Sequence, residues 1–177
     1  MTGLIKYFSK FDEVSSGQQL PMGATASDED LARLRDKTNI ESIPDSVEQL
    51  YRWHDGGVLD AVFGRGFWFL CSISEGIELL DIWRSYSLHI EFKNSDQSDS
   101  VIISQLPKSF FPIFNYNASV YGVVNLGVGN APVYGFDVED GKLEIWDDSF
   151  ESFLDTIFQC LRKGKPVEVS DLNKALY

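Results

Sequence analysis

Apolar and ring-bearing positions recur at Val47, Leu50, Tyr51 and His54, at i, i+3, i+4 and i+7, which is the period of an amphipathic helix. Pro44 stands where such a helix opens. Gly56 and Gly57, closing the stretch WHDGG (Trp53–Gly57), are a helix stop, and a positive φ is expected at one of them. This spacing puts His54 on the inner stripe, in the last turn. Upstream, SDED begins at Ser27 as an N-cap with an acid three residues on, and Asp28, Glu29 and Asp30 sit where the helix dipole favours them. Leu31 and Leu34 give that first helix its apolar face.

Downstream, FWFLCSI (Phe67–Ile73) reads as a buried strand. Ser74–Ile90 reads as a helix capped by Ser74, its face carrying Leu79, Trp83, Tyr86 and Ile90. NSDQSDS is a polar loop, and Val101–Leu106 is a short strand or an extended segment. From Phe110 the period changes. FFPIFNYN leads into VYGVVNLG, PVYGFDV and KLEIW, separated by the turn signals GVGN and EDG, a three-strand antiparallel meander. On KLEIW, Leu143 and Ile145 should face the core, with Lys142, Glu144 and Trp146 on the outer face. SFESFLDTIFQCL closes as a helix with a stripe of Phe150, Phe153, Leu154, Ile157 and Leu161.

Helices, then strands, then a closing helix predict the α+β class: an antiparallel meander packed against N-terminal and C-terminal helices. Residues 1–26 read as a leader, partly ordered, with one short packed segment around Tyr7, Phe8 and Phe11. Residues 27–177 read as a single domain.

Composition sharpens this. Hydrophobic residues make up 44% of 177, with 13 Phe, 7 Tyr and 4 Trp, enough to build a core without disulfides or metal. No apolar run is long enough to cross a bilayer, and the N-terminus is a poor signal peptide, so a soluble cytoplasmic protein is expected. Cys71 and Cys160 lie in apolar segments without a CxxC neighbour and read as reduced core thiols. The net charge of −12 argues against free nucleic acid as a partner, because phosphate binding needs a basic face.

Candidate chemistry is sparse. His54 and Asp55 could be an acid–base pair, but adjacent residues at a helix end point about 100° apart, and no nucleophile motif lies nearby; a packed or capping histidine is the simpler reading. His89 has no second histidine at ligand spacing. GVGNAP has G-x-G without a following helix, and a hairpin turn explains it. No catalytic residue, metal or cofactor is therefore expected. Trp83, Trp146, Phe153 and Phe158 read as core, whereas Trp53, Phe67 and Trp68 flank the glycine turns and are core or groove. The acids Asp137, Glu139, Asp140, Glu144, Asp147, Asp148, Glu151 and Asp155 share their interval with Lys142 alone. They are either a solvated face with a helix cap or a steering surface for a cationic partner.

The chain resembles the SUKH superfamily, the group that contains the yeast Smi–Knr cell-wall regulator domain. The residues that carry the resemblance are Pro44 opening the helix that ends in LYRWHDGG (Leu50–Gly57), the aromatic–Pro strand start FFPIF (Phe110–Phe114) with its two hairpins, and the closing SFESFL (Ser149–Leu154), over roughly residues 25–162. Many members carry a Gly-Asp pair before the first meander strand, where this chain reads NASVYGVVNL with Ser119. The resemblance implies a binding role without catalysis. Bacterial members resemble immunity proteins that neutralise toxins, many of them nucleases; fungal members resemble signalling scaffolds. The expected function is an immunity protein that blocks a basic toxin domain, with a scaffold or adaptor as the alternative. The expected partner-binding residues are Glu144, Asp147, Asp148, Glu139, Asp140, Trp53 and Asp55.

Overall fold

The computed structural model describes residues 8–9, 13, 22–58, 68–86, 89–93, 100–116 and 118–163. Among these, helices α1 (Asp28–Thr38) and α2 (Asp45–Trp53) come first, followed by the short strands β1 (Gly57–Val58) and β2 (Trp68–Leu70). Then come α3 (Ile73–Ser85), β3 (Ile90–Lys93) and β4 (Val101–Ile103). The meander β5 (Phe110–Tyr116), β6 (Val120–Asn125), β7 (Val133–Asp137) and β8 (Lys142–Asp147) leads to α4 (Phe150–Arg162).

The described strands form one eight-stranded sheet in the order β1-β2-β5-β6-β7-β8-β3-β4. The class is α+β, and the meander contains the three strands read from the sequence with β5 added as a fourth. All neighbours are antiparallel except β3 and β8, which run parallel. The chain reaches β3 by crossing the sheet through α3.

Ser27 caps α1 through a reciprocal capping box with Asp30, as the sequence suggests. The Ser27 bonds hold the Asp30 carboxyl below the ordinary aspartate range. Pro44 is the N-cap of α2, whose inner face is Val47, Leu50 and Tyr51. The start of α3 differs from expectation. Ser72 and not Ser74 is the cap, because Glu75 stands three residues beyond it and closes a second capping box. The buried stripe of α3 is therefore Ile73, Gly76, Leu80 and Trp83. The helix also ends early: Tyr86 is exposed, and Ile90 is buried in β3, where it pairs with Ile103. Period alone did not separate a helix from a helix followed by an edge strand.

Both faces of the meander are covered. Tyr121 and its cross-strand partner Phe136 meet Trp83 of α3 with ring centroids 4.9 and 5.1 Å away. The adjacent pair Gly122 and Gly135 points the other way, toward α4, since successive side chains alternate. There Phe114, Trp146, Phe150 and Phe153 form one aromatic layer, with Trp146 and Phe153 parallel at 6.2 Å. Leu143 and Ile145 are buried as expected, but so is Trp146. Its face is an outer one only at the Lys142 end of β8, because α4 covers the rest. Phe150, Phe153, Leu154 and Ile157 fill the interior as their spacing predicts, while the side chains of Phe158 and Leu161 lie outside the described residues.

Trp146 fits because two glycines lie beneath it. A Cβ on Gly135 would stand 2.1 Å from the indole, and one on Gly122 would be 3.1 Å from Phe114. Gly135→Ala is expected to destabilise the fold by about 1–3 kcal/mol through overpacking. Trp146→Phe should recover part of that loss in the double variant. Urea unfolding of the two single variants and the double variant checks the coupling.

Candidate functional site

WHDGG is a four-way joint. The helix ends one residue earlier than its period suggests: Trp53 is the last residue of α2, and His54 is already extended at φ −149°, ψ 136°. The cap is thus His54 and not the glycine pair. The reason lies in residues 22–26, which run alongside. The N–H of Asp55 donates to Ala24 O at 2.7 Å, that of Gly23 to Gly56 O at 2.9 Å, and that of Ala26 to Tyr51 O at 2.9 Å. Met22 and Gly57 form an antiparallel bridge.

Both glycines have positive φ, 92° at Gly56 and 147° at Gly57. Their second role is space: a Cβ on Gly57 would lie 2.7 Å from the Met22 sulfur, and one on Gly56 would lie 3.1 Å from Ser72 Cβ.

His54 and Asp55 turn to different partners within this joint. His54 Nδ1 lies 2.7 Å from Gly23 O, where an N–H donates to the carbonyl, and its ring meets Trp53 edge-on. Trp53 in turn stacks on Phe8 at 5.0 Å. Phe8 is buried; Tyr7 and Phe11 of the expected packed segment lie outside the described residues. Asp55 Oδ1 accepts the Ile73 N–H at 2.6 Å, so the carboxylate caps α3 beside Ser72.

Burial raises the Asp55 carboxyl above the ordinary aspartate range; Asp30 and Glu75 push the same way, while the Ile73 N–H and Arg33 pull it down. Cys71, buried nearby, has its thiol pushed up to about 12 by burial and by Glu75, so it stays protonated at neutral pH.

The joint frames a cleft of about 560 Å³ between α3 and the β1–β2–β5 end of the sheet. Gly57, Leu70 and Cys71 contribute to its wall, along with Val58, Phe69 and Asn115 from the sheet and Glu75, Glu78, Leu79 and Ile82 from α3. Sequence reasoning missed this site. Its readable signal was a second stripe on α3, Glu75, Glu78, Leu79 and Ile82 at i, i+3, i+4 and i+7, displaced from the buried stripe.

The acidic interval does not make one exposed patch. Glu139 and Asp140 lie in the β7–β8 turn, where Asp137 Oδ1 accepts both their N–H groups at 3.0 Å and Asp140 pairs with Lys142 at 2.9 Å. Asp147 and Asp148 lie at the other end of β8, some 17 Å away at about 3.3 Å per residue. Asp147 is only 8% exposed, buried at the bulge where β8 shifts register against β7. Asp148 is exposed, and Glu144 is half-buried in mid-strand between Gly135 and Lys93. The acidic interval is therefore not one continuous exposed face, as either a solvated face or a steering surface over its whole length would need. Asp147→Lys would put a longer side chain of opposite charge into this buried position. The expected residues Trp53 and Asp55 lie at the joint, apart from both acidic ends.

No group of three His, Cys, Asp or Glu residues among the described residues is placed to hold a metal ion, and no described helix is long and apolar enough to cross a membrane. A model of the SMI1 / KNR4 family (SUKH-1) matches residues 25–156. No curated protein matches the chain.

The Asp55 cap predicts a graded mutational response. Asp55→Ala strips the Ile73 N–H of its acceptor and should cost about 1 kcal/mol. Asp55→Asn keeps an acceptor oxygen and should cost less. A raised carboxyl pKa means that the folded state holds the proton more tightly than the unfolded chain, whose aspartate titrates at about 3.9. The stability contributed by that carboxyl is then greatest below this value and falls as pH rises through the higher folded value. Asp55→Asn should gain on the wild type as pH rises through that window, which urea unfolding at a series of pH values would show.

Proposed function

The chain belongs to the SMI1 / KNR4 family (SUKH-1), and from that premise we propose that it is an immunity protein, one that neutralises a bacterial toxin domain by covering its active site. The observation that carries this reading is charge. With −12 on 177 residues, the protein repels nucleic acid and complements a protein that binds it. A nuclease must present a basic face to its phosphate substrate, so a basic nuclease domain is the partner of choice. Exposed acids at both ends of β8 and along α3 would speed the encounter.

Catalysis has no part in this proposal. Three reactive groups in the WHDGG region have structural surroundings that support a binding role: His54 Nδ1 at Gly23 O, Asp55 at the start of α3, and Cys71 as a buried protonated thiol.

The test is co-expression with the toxin domain encoded beside its gene, followed by stopped-flow association of the purified pair across ionic strength. The expected result is protection of the cells and an association rate that falls with salt. Reversal of the exposed Glu139, Asp140 and Asp148 to lysine should slow association about tenfold at low salt while the fold survives. Cells killed despite co-expression, with no complex formed by the purified pair, would overturn the reading.

A further inference from the structure

The cleft beside the joint has a construction that the immunity reading does not by itself require. On the sheet side, Val58 pairs with Phe69 and Phe69 with Asn115, so the three residues form one row across β1, β2 and β5. On the helix side, Glu75, Glu78, Leu79 and Ile82 form one stripe along α3. A row and a stripe face each other across about 560 Å³, within the roughly 300–1,000 Å³ range of pockets that take a ligand.

Two apolar members are exposed, Phe69 at 38% and Ile82 at 52%, and Val58 and Leu79 are half-buried. Covering these side chains with an apolar group of the partner removes them from water, which favours binding. The charged members of the lining, Glu75 and Glu78, are both acidic.

We propose that this cleft is the docking site for a segment of the protein partner, a short stretch presenting an apolar side chain flanked by lysine or arginine. The proposal rests on the reading of a basic protein partner and names the surface that receives it. The apolar side chain enters between Phe69 and Ile82, and its flanking cations meet Glu75 and Glu78. Charge complementarity selects this occupant. An acidic segment would meet like charge on the helix side, and a purely polar one would leave Phe69 and Ile82 wet.

The experiment uses the full chain and three labelled peptides of about a dozen residues: a Leu-Trp pair flanked by lysines, the same pair flanked by glutamates, and a Ser-Ser pair flanked by lysines. Binding is read by fluorescence anisotropy and located by amide chemical shifts. The first peptide should bind, with shifts concentrated at Val58, Phe69, Leu79, Ile82 and Asn115. The other two should bind at least about tenfold more weakly. Ile82→Asp and Glu78→Lys lie on the exposed side of α3, so folding should survive, and each should weaken the first peptide about tenfold.

Failure of the first peptide to bind, equal binding of all three, or binding unchanged by Ile82→Asp would overturn the proposal. So would a concentration-dependent dimer dissolved by Ile82→Asp, which would make a second copy the occupant. Protection against the toxin that persists alongside any of these failures would remove the cleft and leave the immunity reading standing.

Discussion

The close approach of Met22 to Gly57 is the constraint from which the WHDGG joint follows. With Gly57 at φ 147° and a would-be Cβ 3.0 Å from the Met22 Cα, glycine is the residue that lets the two segments meet there. That contact sets residues 22–26 beside the end of α2, pulls His54 out of the helix, and aims Asp55 at the first N–H of α3. The direction in which α3 leaves the joint fixes the distance between its outer stripe and the Val58–Phe69–Asn115 row. The glycine pair and residues 22–26 thus meet where α2 ends, and the cleft opens beside them.

The same logic of removed side chains recurs on the opposite face of the sheet. The Gly122–Gly135 pair leaves a flat floor for Trp146, and the indole in turn carries Phe153 of α4. The sheet can bury both of its faces because glycine lies beneath the indole. The resulting division leaves one face to the core and α4, and frees the outer flank of α3 on the other.

Much of this was legible in the sequence. The cap at Ser27, the opening proline of α2, the meander and the stripe of α4 follow from local period and local hydrogen bonding, which the sequence carries directly. The positive φ of the glycines at 56 and 57 was readable, although the helix stops before them, at His54. Their partner Met22 was not, because a contact across 35 positions leaves no local trace. The cap of α3 is Ser72 and not Ser74: Ser72 and Glu75 carry the capping-box spacing, while Ser74 only begins the visible polar-to-apolar change. The parallel pairing of β3 with β8 was hidden for a related reason: Ile90 continues a helical period yet belongs to a strand selected by tertiary contact. For the candidate site, the charge was legible and its arrangement was not. Asp147 and Asp148 are adjacent letters with opposite fates, the first buried as the last residue of β8 and the second exposed just beyond it.

If the joint is one cooperative unit, its hydrogen bonds should open together. Native-state hydrogen exchange of the Gly23, Ala26, Asp55 and Ile73 amides measures this directly. The account predicts a shared opening free energy for all four, lowered together in Gly57→Ala while the amides of β6 and β7 keep their protection. Independent exchange of the four amides, or loss of protection at Gly23 alone in Gly57→Ala, would contradict it.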